Sequence, residues 1–121
     1  MNETNTALNF DPGVVLKRVD GDRDLLKEIT ALFIEDTPHL LIELRDAIAR
    51  GDGKVLERSA HTYKGSVGNF GARTAFEAAA SLEQMGRNGD FARAGKMLDQ
   101  LEQQVTLLVP ALEALMNEKA A

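Results

Sequence analysis

Apolar residues recur along this chain at steps of three and four, and the runs between breakers are long. From Asp22 the positions Leu25, Leu26, Ile29, Leu32 and Phe33 form one stripe, continued by Leu40, Leu41, Leu44 and Ile48 as far as Gly51. Pro38 falls inside it and predicts a kink within one helix, not a boundary between domains. The last segment carries Phe91, Ala94, Leu98, Leu101, Val105, Leu108, Leu112 and Leu115. Those steps alternate three and four, the seam of a helix packed along a bundle. Pro110 lies within it and is expected to bend its final turns. Two shorter segments lie between. One runs from about Asp52 to Phe70, and the next starts near Ala72 with Phe76, Ala79, Leu82 and Met85 directed inward. Arg87-Asn88-Gly89-Asp90 reads as a turn ending in a cap.

Ahead of these, Asp11-Pro12 has the form of an N-cap followed by Pro at the first helical position. Val14, Val15 and Val19 then predict a brief helix closing near Asp20-Gly21. Residues 1–9 are polar and aperiodic and are read as a flexible leader. The connections are short, so consecutive helices should run antiparallel. The predicted fold is all-α: an up-down-up-down antiparallel four-helix bundle with a short additional N-terminal helix, one domain over residues 10–118.

Composition agrees with a small helical protein. The 121 residues are 44% hydrophobic and 27% charged. The chain has no Cys, so neither disulfides nor thiolate metal sites enter. Its net charge of −5 argues against a phosphate-backbone ligand, and no nucleic-acid partner is expected. No apolar run approaches a membrane span, and the N-terminus lacks the basic and apolar regions of a signal peptide. A cytoplasmic location without membrane insertion is the expectation.

The candidate chemistry sits in AHTYKGSVGNFGA, residues 60–72. On a helical wheel of about 100° per residue, Val55, Ser59, Thr62, Tyr63, Ser66, Val67 and Phe70 gather on one side. Lys54, Glu57, Arg58, His61, Lys64, Gly65 and Gly68 gather on the other. His61 is therefore placed in solvent, on a face of charges and glycines. Gly costs about 1 kcal/mol relative to Ala in a helix interior, so two on one face call for a reason. Gly65 and Gly68 stand about one and two turns beyond His61, and they predict a bare trough in which a partner's backbone can approach the imidazole. They lie on the wrong side to be packing glycines, whereas Gly71 reads as the helix C-cap. Their spacing by three matches no nucleotide-cradling loop.

Charge is locally inverted here. Residues 50–73 hold Arg50, Lys54, Arg58, Lys64 and Arg73 against Asp52 and Glu57, an excess of +3 in a chain of net −5. Such a patch attracts an acidic pocket or a phosphoryl group. An exposed imidazole can serve as acid, base, metal ligand or nucleophile. Metal binding needs convergent ligands, and only His39 and carboxylates are on hand, so no metal and no cofactor are expected. General-base catalysis needs a pocket and an orienting partner, and neither is evident in the sequence. Nucleophilic capture of a phosphoryl group needs the ring, a nearby cation and access, which this face supplies.

The stretch closely resembles the signature of histidine-containing phosphotransfer (HPt) domains, His-x-x-Lys-Gly followed by small or polar residues ending in Gly-Ala. The resemblance extends over nearly everything from residue 10 to 118, with Tyr63 standing where members often have Leu. It implies that His61 accepts a phosphoryl group from a receiver-domain aspartate and passes it to another. Lys64 would stabilise the phosphoryl charge and Gly65 would admit the receiver. Lys54, Arg58 and Gly68 would belong to the partner-binding surface. Response-regulator receivers, including that of a hybrid histidine kinase, are the implied partners of a monomer with no ATP site. His61 is followed by Thr62, not by the carboxylate found beside the histidine of ATP-dependent kinases. Two other readings stand beside this one: a non-catalytic helical adaptor, and a dimerising half of a kinase core.

Overall fold

A computed structural model describes residues 10–117. Five helices follow one another: α1 (Pro12–Arg18), α2 (Arg23–Arg50), α3 (Gly53–Gly68), α4 (Arg73–Asn88) and α5 (Phe91–Met116). Helices α2 to α5 close a ring of packed neighbours, α2 on α3, α3 on α4, α4 on α5, and α5 back on α2. This is the antiparallel up-down-up-down bundle, with α1 as the short extra helix. The leader and residue 118 lie outside the described residues.

Local chemistry sets most helix ends. Asp11, Asp22 and Asp52 each accept an N-terminal backbone N–H with the side chain, at 2.9, 3.0 and 3.1 Å. These bonds satisfy donors that the first helical turn leaves without partners. Gly51 and Gly89 close α2 and α4 in the left-handed conformation. Asp90 stands at the N-cap of α5 without a capping bond and pairs with Arg93 instead. Gly71 differs from the expectation. Helix α3 stops at Gly68 with Asn69 as its right-handed cap, and Gly71, at φ +64, turns the chain toward α4 two residues later. Pro38 and Pro110 lie inside unbroken helices, in α2 and α5 respectively.

The predicted seam of α5 is the observed one, with Ala94, Leu98, Leu101, Val105, Leu108, Leu112 and Leu115 buried. The stripe of α2 is narrower than expected. Leu26, Phe33 and Leu44 are buried, while Leu25 and Leu32 are exposed, because only the side toward α3 and α5 is covered. Phe33 stacks on Tyr63 with centroids 5.7 Å apart and tilts against Phe70 at 5.0 Å. The Tyr63 hydroxyl reaches the Thr37 hydroxyl at 3.1 Å inside the core. Burial pushes the phenol up to about 12, opposed by the Thr37 bond.

The closest helix approach is between α3 and α4, and two glycines outside the motif make it. A Cβ on Gly86 would lie 2.6 Å from the Glu57 backbone nitrogen, and one on Gly53 would lie 2.6 Å from the Gly86 carbonyl. Only bare backbone fits there. From that crossing the helices run antiparallel in register: Glu57 beside Gly86, His61 beside Glu83, Gly68 beside Phe76.

Candidate functional site

The covered side of α3 comprises Leu56, Ser59, Ala60, Tyr63 and Val67. Thr62, placed on that side by the wheel, is exposed. His61 is on the opposite side, with 67% of its side chain accessible. It is held by a residue that the sequence does not single out. Glu83 of α4 receives the His61 Nδ1 proton through Oε2 at 2.8 Å and the Lys64 ammonium through Oε1 at 2.7 Å. The orienting partner missing from the sequence reading thus comes from the neighbouring helix. Glu83 is itself shielded, with 12% of its side chain accessible. No local motif marks it. The available signal was its step of one residue from Leu82 and three from Gly86, which places it on the edge of α4 facing α3.

Electrostatics fix the protonation pattern. The hydrogen bond from Lys64 holds the Glu83 carboxyl below the usual carboxylate range; burial opposes this, and the His61 bond adds to it. An ionised carboxylate only accepts, so Nδ1 is the nitrogen that carries a proton, and whenever the ring holds a single proton its lone pair lies on Nε2. Nε2 has no partner among the described residues. Arg87 completes the cluster, bonded to Glu57 at 2.8 Å and 3.8 Å from the Glu83 carboxylate.

The glycines divide into two kinds. A Cβ on Gly65 would meet nothing within 4 Å, so the backbone there is open to solvent one turn beyond His61. Gly68 differs from the sequence reading: a Cβ would lie 3.3 Å from the Phe76 ring. It is a packing glycine, because α4 crosses closely enough to bring Phe76 over it. Phe76, expected inward, is 39% exposed and lies on this side of the bundle, 6.0 Å from the Lys64 ammonium.

The basic patch is partly neutralised. Arg50 pairs with Asp46 and Asp52, and Lys64 with Glu83. Lys54 and Arg58 are exposed and make no ion pair among the described residues. His39 is exposed on α2, apart from this cluster. Among the described residues no group of three or more His, Asp or Glu converges to hold a metal ion, and no helix is long and apolar enough to cross a membrane.

The Hpt domain family model matches residues 28–114, which is well over half of the chain. The chain belongs to the Hpt domain family. A histidine phosphotransfer role in two-component signalling goes with that membership, as does interaction of the family with response-regulator receivers. Among solved structures, this Hpt domain is similar to the histidine-containing phosphotransfer protein B (HptB) of Pseudomonas aeruginosa PAO1. The TM-score is 0.84 at 23% identity, with 92% of this chain and 96% of that one covered. At that identity the likeness speaks for the bundle. No curated protein sequence matches the chain.

Proposed function

We propose that His61 is the phosphorylated residue and that the protein relays a phosphoryl group between receiver aspartates. The observation that carries this is an exposed imidazole pinned through Nδ1 by Glu83, with Nε2 free and bare backbone at Gly65 alongside. In the transfer, the Nε2 lone pair forms a bond to phosphorus while the bond from phosphorus to the aspartyl oxygen breaks. The carboxylate leaves with that electron pair. The ring becomes a phosphorylated imidazolium that keeps its Nδ1 proton and donates it in a hydrogen bond to Glu83, and its positive charge is neutralised by that carboxylate. The reverse step returns the phosphoryl group to a second aspartate.

Lys64 supports the step from a flexible stem. Its ammonium rests on Glu83 before transfer and has the reach to turn toward phosphoryl oxygens as negative charge arrives. Positioning and charge neutralisation are what phosphoryl transfer asks of a protein. The carrier reading needs no ATP site, and the Thr62 that follows His61 fits a chain that does not phosphorylate itself. Lys54 and Arg58, unpaired on the same face, favour an acidic receiver surface. A cytoplasmic monomer spanning residues 10–118 as one domain completes the proposal.

Incubation with phosphorylated receiver domains tests it. The expected result is acid-labile, alkali-stable phosphate on His61, mapped by mass spectrometry. A folded protein that takes no label from any receiver, or takes it elsewhere, overturns the reading.

A further inference from the structure

The cations of the site are not all in the motif. A depression of about 380 Å³ begins at Gly65 and Gly68 and ends against Arg18 of α1 and Arg73 of α4, with Phe76 and Asn69 in its wall. Arg18 comes from a helix that the charge analysis of residues 50–73 leaves out. It is brought here because α1 lies against the α3–α4 corner: a Cβ on Gly71 would lie 3.2 Å from the Val14 side chain, and Arg18 stands one turn beyond Val14. Arg18 and Arg73 are both exposed, and neither makes an ion pair among the described residues. Phe76 presents an accessible ring to the same depression. Two unpaired guanidiniums beside an exposed aromatic, continuous with the bare backbone next to the nucleophile, match a protein surface that carries carboxylates around an apolar side chain.

We propose that this depression is a second docking point for the receiver, in which Arg18 and Arg73 engage acidic side chains and Phe76 packs on an apolar one. The proposal rests on the carrier reading and adds selection of the partner. The site is then bracketed by charge, with Lys54 and Arg58 toward the start of α3 and Arg18 and Arg73 beyond its end. Helix α1 becomes a recognition element in addition to covering the bundle end. Unpaired cations at a rim act chiefly on encounter and on salt dependence.

The test compares wild type with Arg18→Glu, Arg73→Glu and the neutral pair Arg18→Gln and Arg73→Gln. Lys96→Glu, an equal charge change at an exposed position of α5, serves as control. Each is mixed with the receiver domain that exchanges phosphate fastest with wild type, loaded on its aspartate by acetyl phosphate. Direct labelling of His61 by phosphoramidate, which needs no docking, reports the nucleophile separately. The expected result is a roughly tenfold slower second-order transfer for each reversal at low salt, about threefold for each neutral change, and a shallower salt dependence. Phosphoramidate labelling and the Lys96→Glu transfer rate should match wild type. Should a reversal unfold α1, the Gln variants carry the decision, since they keep the side-chain volume. Transfer at the wild-type rate in all four arginine variants, or an equal loss in Lys96→Glu, overturns the docking point and leaves the carrier reading standing. A wild-type protein labelled by phosphoramidate but by no receiver overturns both.

Discussion

One carboxylate, Glu83, holds the His61 ring at 2.8 Å through one oxygen and the Lys64 ammonium at 2.7 Å through the other. The pair His61 and Glu83 is separated by 22 positions in the chain and joined across two helices. That contact engages Nδ1 of the ring, leaves Nε2 facing outward without a partner among the described residues, and parks the cation beside it.

Removing the carboxylate should slow the chemistry more than it harms the fold. A hydrogen bond to a charged group contributes roughly 1.5–3 kcal/mol, so Glu83→Ala should lower the transfer rate by about 10- to 100-fold if the contact persists in the transition state. Nitrogen NMR of the imidazole should show a mixture of tautomers in the variant and one form in wild type. An unchanged rate together with one tautomer in Glu83→Ala would show that Glu83 is not the orienting group.

His61→Gln should abolish phosphate uptake and leave helicity and melting temperature nearly unchanged, since most of the side chain is in solvent. Calorimetry beside phosphate labelling checks both halves. A large drop in melting temperature would mean that the ring carries packing energy in solution.

The glycines should separate function from packing. Gly65→Gln adds a side chain into open space, so stability should hold or rise by up to about 1 kcal/mol, while transfer from a receiver falls. Gly86→Ala should do the reverse. Its Cβ would press on the Glu57 backbone at 2.6 Å, and overpacking of that kind costs about 1–3 kcal/mol. Denaturant melts and transfer kinetics on the two variants measure this. Equal behaviour of the two would defeat the distinction.

Acid should weaken the cluster in a defined window. The folded state holds Glu83 below the usual carboxylate range, chiefly through the Lys64 bond. Its contribution to stability is therefore present above the unfolded carboxylate value of about 4.3 and is lost as pH falls through the lower folded value. The stability difference between wild type and Glu83→Gln should be constant from about pH 6 upward and shrink below about pH 4. A difference that stays level across that range removes the ion-pair account.

Alkali should act at the other end through the single tyrosine. The Tyr63 phenol is pushed up to about 12 by burial, so its contribution is complete below the unfolded value of about 10. It is lost as pH rises through the folded value. Tyrosinate absorbance should rise together with unfolding, and Tyr63→Phe should remove that alkaline component of the transition. Ionisation near pH 10 in a folded chain would mean that the hydroxyl is solvated.

Features controlled by neighbours within one turn are legible in the residues alone. Asp11, Asp22, Asp52, Gly51 and Gly89 mark their helix ends through bonds or backbone angles that span at most a few residues. The period of α3 is enough to turn His61, Lys64 and Gly65 away from Tyr63 and Val67. Tertiary structure alone decided what meets that face, because the register between two helices follows from packing that no single helix encodes. The bare contact of Gly53 and Gly86 lets α4 approach, and this one approach brings Glu83 to His61 and Phe76 onto Gly68. The turn at Gly71 and its contact with Val14 likewise carry Arg18 to the site from a helix more than forty positions upstream.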